Sequence, residues 1–342
     1  MWLYLVALLA LYLLRRWYRE RQMVRNLPDK HVFITGCDSG FGHLLAKQLD
    51  GRGLRVLAAC LTEQGAERLR QETSGRLQTV ILDVTKSDSI TAAAAWVKVQ
   101  VGDRGKPSVD SSQSTIRAGA FAGLHRECEG LWGLVNNAGI GAPTGPNEFL
   151  SKADFVKVLD VNLVGLIEVT LSLLPLVRRA QGRIVNVASV MGRLAVFGGG
   201  YGPSKYGVEA FSDSLRRELR DFRVKVSIIE PGGFRTPILD VQRVQKSLEQ
   251  VWSCASANVK EAYGQQYLDC CIEKLKELLF TTSPKLHLVT DAMEHALTAR
   301  HPRTRYSCGW DAKLFYLPVS YLPTSWADYL LTCSTPKPAQ GI

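Results

Sequence analysis

Short apolar runs rich in β-branched residues alternate with segments of helical periodicity, and this alternation is what most limits the folds open to the chain. Strands joined through helices run parallel and are buried on both faces, so each appears as a continuous apolar run. The sequence therefore predicts an α/β fold built on a doubly wound parallel sheet. The predicted strands are 31–35, 54–60, 77–83, 131–135, 182–189 and 224–230.

Two regions depart from this alternation. Residues 106–130 are rich in Ser, Gly and Ala and show no sustained period. They connect a helix to a strand, which places them at the sheet end opposite the ligand-binding ends of the strands, and we interpret them as an atypical insertion that is disordered or splice-related. Beyond residue 233 the alternation stops. The pattern of 238–280 is that of amphipathic helices, and we predict a C-terminal helical substrate-binding extension over 233–290.

The first predicted strand runs directly into TGCDSGFG, whose glycines are Gly36, Gly40 and Gly42. Glycines permit a tight turn and a close approach of the backbone to a ligand, and the start of the following helix presents free N–H groups to a pyrophosphate. A glycine pattern alone is weak evidence, because any tight turn between a strand and a helix can use the same residues.

The N-terminus, MWLYLVALLALYLLRRWYRERQ, has about thirteen apolar residues before its first arginine, and roughly 20 are needed for a full span. No charge precedes the run, which argues against a cleaved signal peptide. We predict that residues 1–26 form an uncleaved membrane anchor with a basic flank, and a monotopic attachment also fits its length. Arginines after the run place the following body on the cytosolic side.

Charge and cysteine content narrow the functional classes. The formal net charge is +10 and the pI is near 9.2, but a cluster of arginines follows the apolar run, so a membrane surface explains the charge better than nucleic acid does. The eight cysteines show no C-x-x-C spacing. We expect reduced thiols, no metal site and a body that faces the cytosol.

The last region, 311–342, is apolar in part. Its stretch LFYLPVSYLP at 314–323 is broken by prolines and cannot form a regular span. Core packing and a membrane-facing lip are both open for it. Residues 29–310 are predicted to form the main domain.

Polar motifs follow the later strands: Asp83 ends the third, NNAG occupies 136–139 after the fourth, Ser189 ends the fifth and PGGFRT occupies 231–236 after the sixth. Such strand ends are where a doubly wound sheet places its ligand. Each motif alone is equally compatible with ordinary turn chemistry.

The stretch GGGYGPSKYGVEAF contains a candidate acid/base pair. Tyr201 and Lys205 are four residues apart and therefore share a helix face. A tyrosine has a pKa near 10, and a nearby ammonium stabilises its phenolate. Tyr206 points elsewhere, for packing or solvent. Because Pro203 is tolerated only in the first turn of a helix, we predict that this helix begins within a residue or two of Tyr201.

Together, these motifs resemble the short-chain dehydrogenase/reductase family in order and spacing from residue 35 to residue 236. The phrases FITGCDSGFG, GLVNNAGI, KYGVEAFSDSLRREL and HPRTRYSCGWDAKL, with the MWLYL start, resemble its membrane-bound retinol and 3α/17β-hydroxysteroid dehydrogenase branch. Segment 106–130 departs most from that branch. The resemblance implies a Rossmann fold.

The resemblance also implies roles for individual residues. Tyr201 would be the general acid/base, Lys205 would support it and hold the ribose hydroxyls of the cofactor, Ser189 would bind the reacting oxygen of the substrate, and Asn162 would hold a water in a proton relay. A helix-interior asparagine that bonds a backbone carbonyl is the alternative for Asn162. The residues assigned to the cofactor are Gly36, Ser39, Gly40, Phe41, Gly42, Asp83, Asn137, Ala138, Gly139, Lys205, Pro231, Gly232 and Thr236.

The choice of cofactor rests on two positions. No carboxylate follows the second strand, where the sequence is Cys60-Leu61-Thr62, and Ser39 rather than a basic residue precedes Gly40. With no clamp for a 2′-phosphate, and with the resemblance, we expect NAD more than NADP.

The expected function is NAD-dependent oxidation of a lipophilic alcohol at the endoplasmic reticulum membrane. Retinol to retinal is the leading reaction and oxidation of a 3α- or 17β-hydroxysteroid is the alternative. A homodimer is left open. The competing class is an inactive cofactor-binding scaffold or splice form.

Overall fold

A seven-stranded parallel sheet forms the centre of the computed structural model, which describes residues 2–102 and 130–341. The strands are β1 (His31–Thr35), β2 (Arg55–Cys60), β3 (Gln78–Ile81), β4 (Gly133–Asn136), β5 (Arg183–Val187), β6 (Lys225–Pro231) and β7 (Arg305–Cys308). Their spatial order is β3-β2-β1-β4-β5-β6-β7. The chain reverses its direction of sheet growth between β1 and β4, which confirms the predicted doubly wound Rossmann architecture.

Helices cover both faces of this sheet. Strand residues alternate between two cores: Val32 and Ile34 face one, with α-helical residues such as Leu45 and Met293, and Phe33 faces the other. The α-helices are α1 (Trp2–Glu20), α2 (Gly40–Gly51), α3 (Glu63–Gln71), α4 (Ser87–Gln100), α5 (Lys152–Leu159), α6 (Gly165–Arg179), α7 (Tyr201–Glu218), α8 (Val241–Cys254), α9 (Ala257–Tyr263), α10 (Gln265–Phe280), α11 (His287–Thr298), α12 (Leu317–Ser320) and α13 (Thr324–Thr332).

The prediction that the alternation stops beyond residue 233 is wrong. Helices α8 to α10 do form over the predicted amphipathic segment, but α11 then returns the chain to the sheet and β7 pairs in parallel with β6. The strand was missed because it has only four residues, Arg305–Cys308, and only alternate ones are buried. A run this short and half polar gives almost no periodic signal.

One other expectation changes at a sheet end. β3 ends at Ile81 rather than at Asp83, although the amide of Leu82 still donates to Cys60 O at 2.8 Å. Asp83 instead accepts from Thr85, which turns the chain out of the sheet. The segment 106–130, apart from Gly130, lies outside the described residues.

The long helix predicted before the fifth strand is present, but it is not regular. It starts at Lys152 with a capping box between Ser151 and Asp154, and a π-helical turn, Asp160–Val164, joins α5 to α6. Within the described ranges, Lys152–Arg179 is the one helix that could cross a membrane by length and composition. Its buried residues pack in the core below the sheet, so it is the crossover helix to β5.

Helix α1 extends along the predicted anchor, and its apolar side chains from Trp2 to Tyr18 are exposed wherever the structure describes them. The C-terminal end of α1 is fixed to the main domain. Glu20 pairs with Arg303, and its main-chain oxygen lies 2.9 Å from His295 Nε2. Val24 N donates to Thr298 O at 2.7 Å. The helix therefore leaves the domain from a fixed base at the connection between α11 and β7.

The C-terminal segment is packed against the domain only in part, and its contact with a membrane stays a prediction. Val319 and Ala327 are buried against the domain. The larger side chains of the segment, and Trp310 just before it, face outward: Trp310, Leu314, Phe315, Tyr321, Leu322, Trp326, Tyr329 and Leu330 are exposed. The segment thus packs through a few small residues and presents an aromatic surface.

Candidate active site

The glycine turn after β1 has the close contacts that a dinucleotide cradle needs. Gly36 and Gly40 have φ of +71° and +63°, a region that L side chains rarely adopt. A Cβ on Gly36 would lie 2.8 Å from Ala138 Cα, and one on Gly42 would lie 2.4 Å from Gly36 O. The turn therefore brings the start of α2 against the end of β4, and glycine is required at both contacts.

Thr35, the last residue of β1, holds this junction together and was not predicted. Its buried hydroxyl accepts from the amides of Asn137 at 3.0 Å and Ala138 at 3.1 Å. The Asn137 side chain returns the contact, since its Nδ2 donates to Thr35 O at 3.0 Å and Gly36 O at 3.1 Å. The predicted cofactor residues after β1 and β4 are thus one hydrogen-bonded unit.

Asp38 supplies the carboxylate that sequence reasoning did not find after β2. Its side chain accepts from the amides of Leu61 at 2.7 Å and Thr62 at 3.0 Å, and from the Thr62 hydroxyl at 2.7 Å. A Cβ on Gly65 would lie 2.4 Å from Asp38 Oδ1. Asp38 belongs to the glycine turn, but its carboxylate lies beside the end of β2. It therefore occupies the position that a carboxylate following β2 would occupy.

Ser39, Phe41 and Thr236 surround the start of α2. Ser39 makes no side-chain capping bond to the helix. The ring of Phe41 packs edge-on against Phe234, with centroids 5.7 Å apart, so its side chain is part of the core. Thr236 lies across from Gly40, where an added Cβ would be 3.8 Å from Thr236 Cβ.

The end of β6 forms a second close backbone contact. Pro231 is buried, and Gly232 N donates to Cys308 O at 2.9 Å. A Cβ on Gly232 would lie 2.2 Å from Asp311 Oδ2, and the same carboxylate accepts from Gly233 N at 2.6 Å. Asp311, which was not predicted, therefore shapes the loop that the resemblance assigns to the nicotinamide.

Helix α7 begins at Tyr201, as Pro203 led us to predict. Pro203 occupies its first turn, where its missing N–H leaves no intrahelical bond unmade. Lys205 Nζ lies 5.5 Å from the centre of the Tyr201 ring and donates to Val187 O at 2.8 Å. Tyr206 is 45% exposed and takes no part in this pair.

Ser189 joins this pair from the end of β5. Its hydroxyl donates to Pro231 O at 3.4 Å and accepts from Met191 N at 3.1 Å, and it lies near enough to the Tyr201 hydroxyl to lower the pKa of that group. Ser189, Tyr201 and the end of β6 are thus adjacent.

Asn162 lies in the π-helical turn and is fully buried. Its Oδ1 accepts from Ile140 N at 2.8 Å, and its Nδ2 donates to Ile140 O at 2.9 Å and to Ser204 Oγ at 3.0 Å. A Cβ on Gly139 would lie 3.2 Å from Asn162 Oδ1 and 3.8 Å from Lys205 Nζ. The asparagine therefore fixes the loop after β4 beside the lysine and bonds a backbone carbonyl, as in the alternative considered for it, and its role in a water relay stays a prediction.

Burial controls the charge of the acid/base pair. It raises the pKa of Tyr201, while the nearby Ser189 hydroxyl acts in the opposite direction. Burial lowers the pKa of Lys205 to about 8, and the nearby Glu209 opposes this effect.

Within the described part of the chain no group of three or more His, Cys, Asp or Glu could hold a metal ion.

Asp83 stands apart from this cluster. Its carboxylate accepts from Thr85 at 2.7 Å and lies 3.4 Å from Lys86 Nζ, and these contacts lower its pKa. The group is thus ionised and partly exposed beyond β3.

An aromatic cluster covers the loop between β4 and α5. The Phe149 ring lies 5.0 Å from Trp252 on α8 and 4.9 Å from Tyr263 on α9, centre to centre, and Tyr267 on α10 lies 5.0 Å from Tyr263. A Cβ on Gly141 would lie 2.7 Å from Ile238 Cγ2. The helical extension therefore covers the loop that follows β4 with apolar and aromatic side chains.

The family model described as short chain dehydrogenase matches residues 30–104 and 108–247, which include the glycine turn, Ser189, Tyr201 and Lys205. The chain belongs to the short-chain dehydrogenase family. This confirms the predicted family and an alcohol oxidoreductase of this type. The residues present fit a dinucleotide cofactor of the NAD(P) class, because positive-φ glycines make the tight turn that sets the start of α2 against the ends of β1 and β4.

This short-chain dehydrogenase is similar along its whole length to named enzymes. It is 59% identical to human 17-beta-hydroxysteroid dehydrogenase type 6 and 58% identical to retinol dehydrogenase 7 from Rattus norvegicus, with 100% of both chains covered in each case. It is 58% identical to human retinol dehydrogenase 16 over the same full coverage. The predicted branch is therefore confirmed.

Solved structures support the fold. A short-chain dehydrogenase from Streptomyces avermitilis has a TM-score of 0.65 at 23% identity and covers 88% of this chain and 95% of its own. A short chain dehydrogenase/reductase from Burkholderia phymatum, solved in complex with NAD, has a TM-score of 0.64 at 22% identity over 90% and 97% of the two chains.

Replacing Thr35 by valine should weaken both the fold and cofactor binding in this short-chain dehydrogenase. The change leaves the buried amides of Asn137 and Ala138 without their acceptor, at an expected cost of about 1 to 3 kcal/mol of unfolding free energy. Denaturant unfolding and NADH fluorescence titration measure the two effects. Thr35→Ser keeps the hydroxyl and is the matched control. Parental stability in Thr35→Val would contradict the role assigned to this hydroxyl.

Proposed function

We propose that this protein oxidises a lipophilic secondary or allylic alcohol, with retinol to retinal as the leading reaction. The observation that supports this most is the placement of Ser189, Tyr201 and Lys205 together at the strand ends, beside an apolar helical cover. Retinol dehydrogenases 7 and 16 are among the relatives of similar identity. The equally similar 17-beta-hydroxysteroid dehydrogenase type 6 supports oxidation of a hydroxysteroid as the second candidate.

The proposed mechanism divides the reaction between a proton and a hydride. The substrate hydroxyl lies between Ser189 and Tyr201, and Ser189 hydrogen-bonds its oxygen. Tyr201, as the phenolate, takes the hydroxyl proton. The bound nicotinamide cofactor supplies the acceptor for the hydride from the carbinol carbon. Lys205 stabilises the phenolate by its charge, and Asn162 fixes the loop through which a water can reach this ammonium.

We propose that the cofactor is NAD. The support is the Asp38 carboxylate beside the end of β2, where an acid can accept from the 2′-hydroxyl of a ribose and repel a 2′-phosphate. One feature argues for NADP instead. The guanidinium of Arg68 donates to the main-chain oxygen of Asp38, which places a positive charge beside the same position. The remaining predicted contacts, including Asp83 with the adenine and Thr236 with the nicotinamide end, belong to the same proposal.

The membrane part of the proposal combines α1 with the aromatic C-terminal surface defined above, Trp310 to Leu330. We propose an endoplasmic reticulum membrane location, with the catalytic domain on the cytosolic side because arginines follow the apolar run. Exposed Trp and Tyr side chains favour the membrane interface. A homodimer is compatible with this arrangement.

Attachment to the membrane has a direct test. The intact protein in a membrane fraction should stay with the pellet in alkaline carbonate, because residues 2–14 of α1 are apolar on all sides of the helix. A variant that lacks residues 1–26 is the comparison, and it should move to the supernatant. Extraction of the intact protein by carbonate would contradict the anchor.

Loss of the Tyr201 hydroxyl should stop turnover without unfolding the protein. In Tyr201→Phe, NADH production from retinol or androstanediol should fall by about 10² to 10⁴, because the proton acceptor is missing. Tyr206→Phe, an exposed neighbour on the same helix, is the matched control and should keep parental rates. A folded parent that binds NAD and turns over neither substrate would favour the competing class, an inactive cofactor-binding scaffold.

Asp38→Asn should reduce the preference for NAD over NADP. The ratio of kcat/KM with NAD to that with NADP is expected to fall about tenfold, which corresponds to one lost charge-assisted hydrogen bond and a removed repulsion. Glu63→Gln, an exposed acid at the start of α3, controls for the general loss of negative charge. An unchanged ratio would show that Asp38 does not determine the choice between NAD and NADP.

A further inference from the structure

Four ionisable side chains form a row along α7. Tyr201, Lys205, Glu209 and Asp213 follow one another at intervals of four residues, so they share one face of the helix. Lys205 and Glu209 are 5% and 6% exposed. A buried carboxylate one turn from a buried ammonium is costly unless each is held by partners, so the contacts of Glu209 need explanation.

Arg305 on β7 is the partner that holds Glu209. Its Nε and Nη2 lie 3.2 Å and 2.9 Å from Glu209 Oε2, and the same Nη2 lies 3.0 Å from Asp213 Oδ2. The other oxygen, Glu209 Oε1, is buried and accepts no hydrogen bond from the described residues. The carboxylate is therefore fixed through one oxygen, and the strand that sequence reasoning missed supplies the arginine.

A second buried carboxylate completes this cluster. Glu230, near the end of β6, is 1% exposed and pairs with Arg193 Nη1 at 2.9 Å. It also lies 3.6 Å from Arg305 and accepts from Ser307 Oγ at 3.1 Å. The Nη2 atom of Arg193 lies 2.5 Å from the hydroxyl of Tyr321 in the C-terminal segment.

The cluster is in contact with the catalytic turn. Gly192, in the short helix Val190–Gly192 that follows Ser189, lies where an added Cβ would be 2.8 Å from Lys205 O and 3.0 Å from Glu209 Cγ. Arg193 comes next in the chain. The turn that carries Ser189 thus rests on α7 between Lys205 and Glu209.

The charge of Glu209 acts on Lys205. The ammonium donates to the neutral oxygen of Val187, and burial lowers the pKa of Lys205 to about 8, with Glu209 as the opposing charge. Burial and the charge of Glu230 raise the pKa of Glu209 to about 7, while Arg305 and Arg193 oppose this. Glu209 is therefore ionised on the alkaline side of neutrality, which is the side towards which a tyrosine loses its proton.

We propose that Glu209 is a positioning residue that keeps the Lys205 ammonium charged during turnover, with Arg305 holding its carboxylate in place. The proposal rests on the functions proposed above for Tyr201 and Lys205. The charged groups that face Glu209 are Lys205 and Asp213 on α7, Glu230 on β6, Arg305 on β7 and Arg193 after the catalytic turn.

The pH profile of alcohol oxidation tests this proposal. Glu209→Gln and Glu209→Met both remove the charge and keep a side chain of similar volume. If one variant does not fold, the other is used in its place. Removing a negative charge lowers the pKa of a neighbouring ammonium. The alkaline limb of kcat/KM should therefore move to lower pH by about one unit, and the acid limb should move less because Tyr201 is two turns away.

Glu218→Gln is the matched control, since Glu218 is an exposed acid at the end of the same helix. Its profile should superimpose on that of the parent. One result would overturn the proposal: the Glu209 variants are folded, both limbs of their pH profiles keep the parental positions, and their rates fall at every pH. That result would show a packing role alone. An inactive parent would instead contradict the proposed function, and the next experiment then decides.

A double-mutant cycle in the cofactor-free protein measures the coupling without turnover. The thermal midpoints of the parent, Glu209→Gln, Lys205→Met and the double variant are compared at about pH 7.5 and at about pH 10. At the lower pH the charged form is the major form of both side chains, and at the higher pH Lys205 is neutral. The midpoint shifts should be non-additive at the lower pH and additive at the higher. Additive shifts at both pH values would contradict a charge coupling between the two residues.

Discussion

The hydroxyl of Thr35 joins the ends of β1 and β4, and the rest of the site depends on this junction. These two strands flank the point where the sheet reverses its direction of growth, so a crevice opens between their ends. The Thr35 hydroxyl accepts from the amides of Asn137 and Ala138, and the Asn137 side chain donates to the main-chain oxygens of Thr35 and Gly36. These four hydrogen bonds hold the two strand ends at a fixed distance from each other. The glycine turn and the loop beside Lys205 are positioned from there.

Sequence predicted those features that are local in the chain. Pro203 fixed the first turn of α7, and the spacing of Tyr201 and Lys205 placed both on one face. The glycine turn was recognisable because its residues follow one another between a strand and a helix. Family motifs then placed Ser189 beside Tyr201, a contact that periodicity could not supply. The roles of the individual site residues stay predictions.

The features that were missed join residues far apart in the sequence. Asp38 reaches the end of β2, Asp311 lies against Gly232, and Arg305 binds Glu209 across two elements. A short strand such as β7 is stabilised by pairing with β6 and by α11 above it, so its own residues carry little signal. Polar partners of this kind become visible only when the topology is known.

The fixed base of α1 has a kinetic consequence in the proposed membrane-bound state. Because Glu20 and Val24 are bonded to the connection before β7, the domain cannot swing freely on a tether. In that state this base would hold the crevice at a set distance from the bilayer, and a lipophilic substrate would enter from the lipid phase without being dissolved in water first. The saturation of such an enzyme follows the mole fraction of substrate in the membrane rather than its bulk concentration.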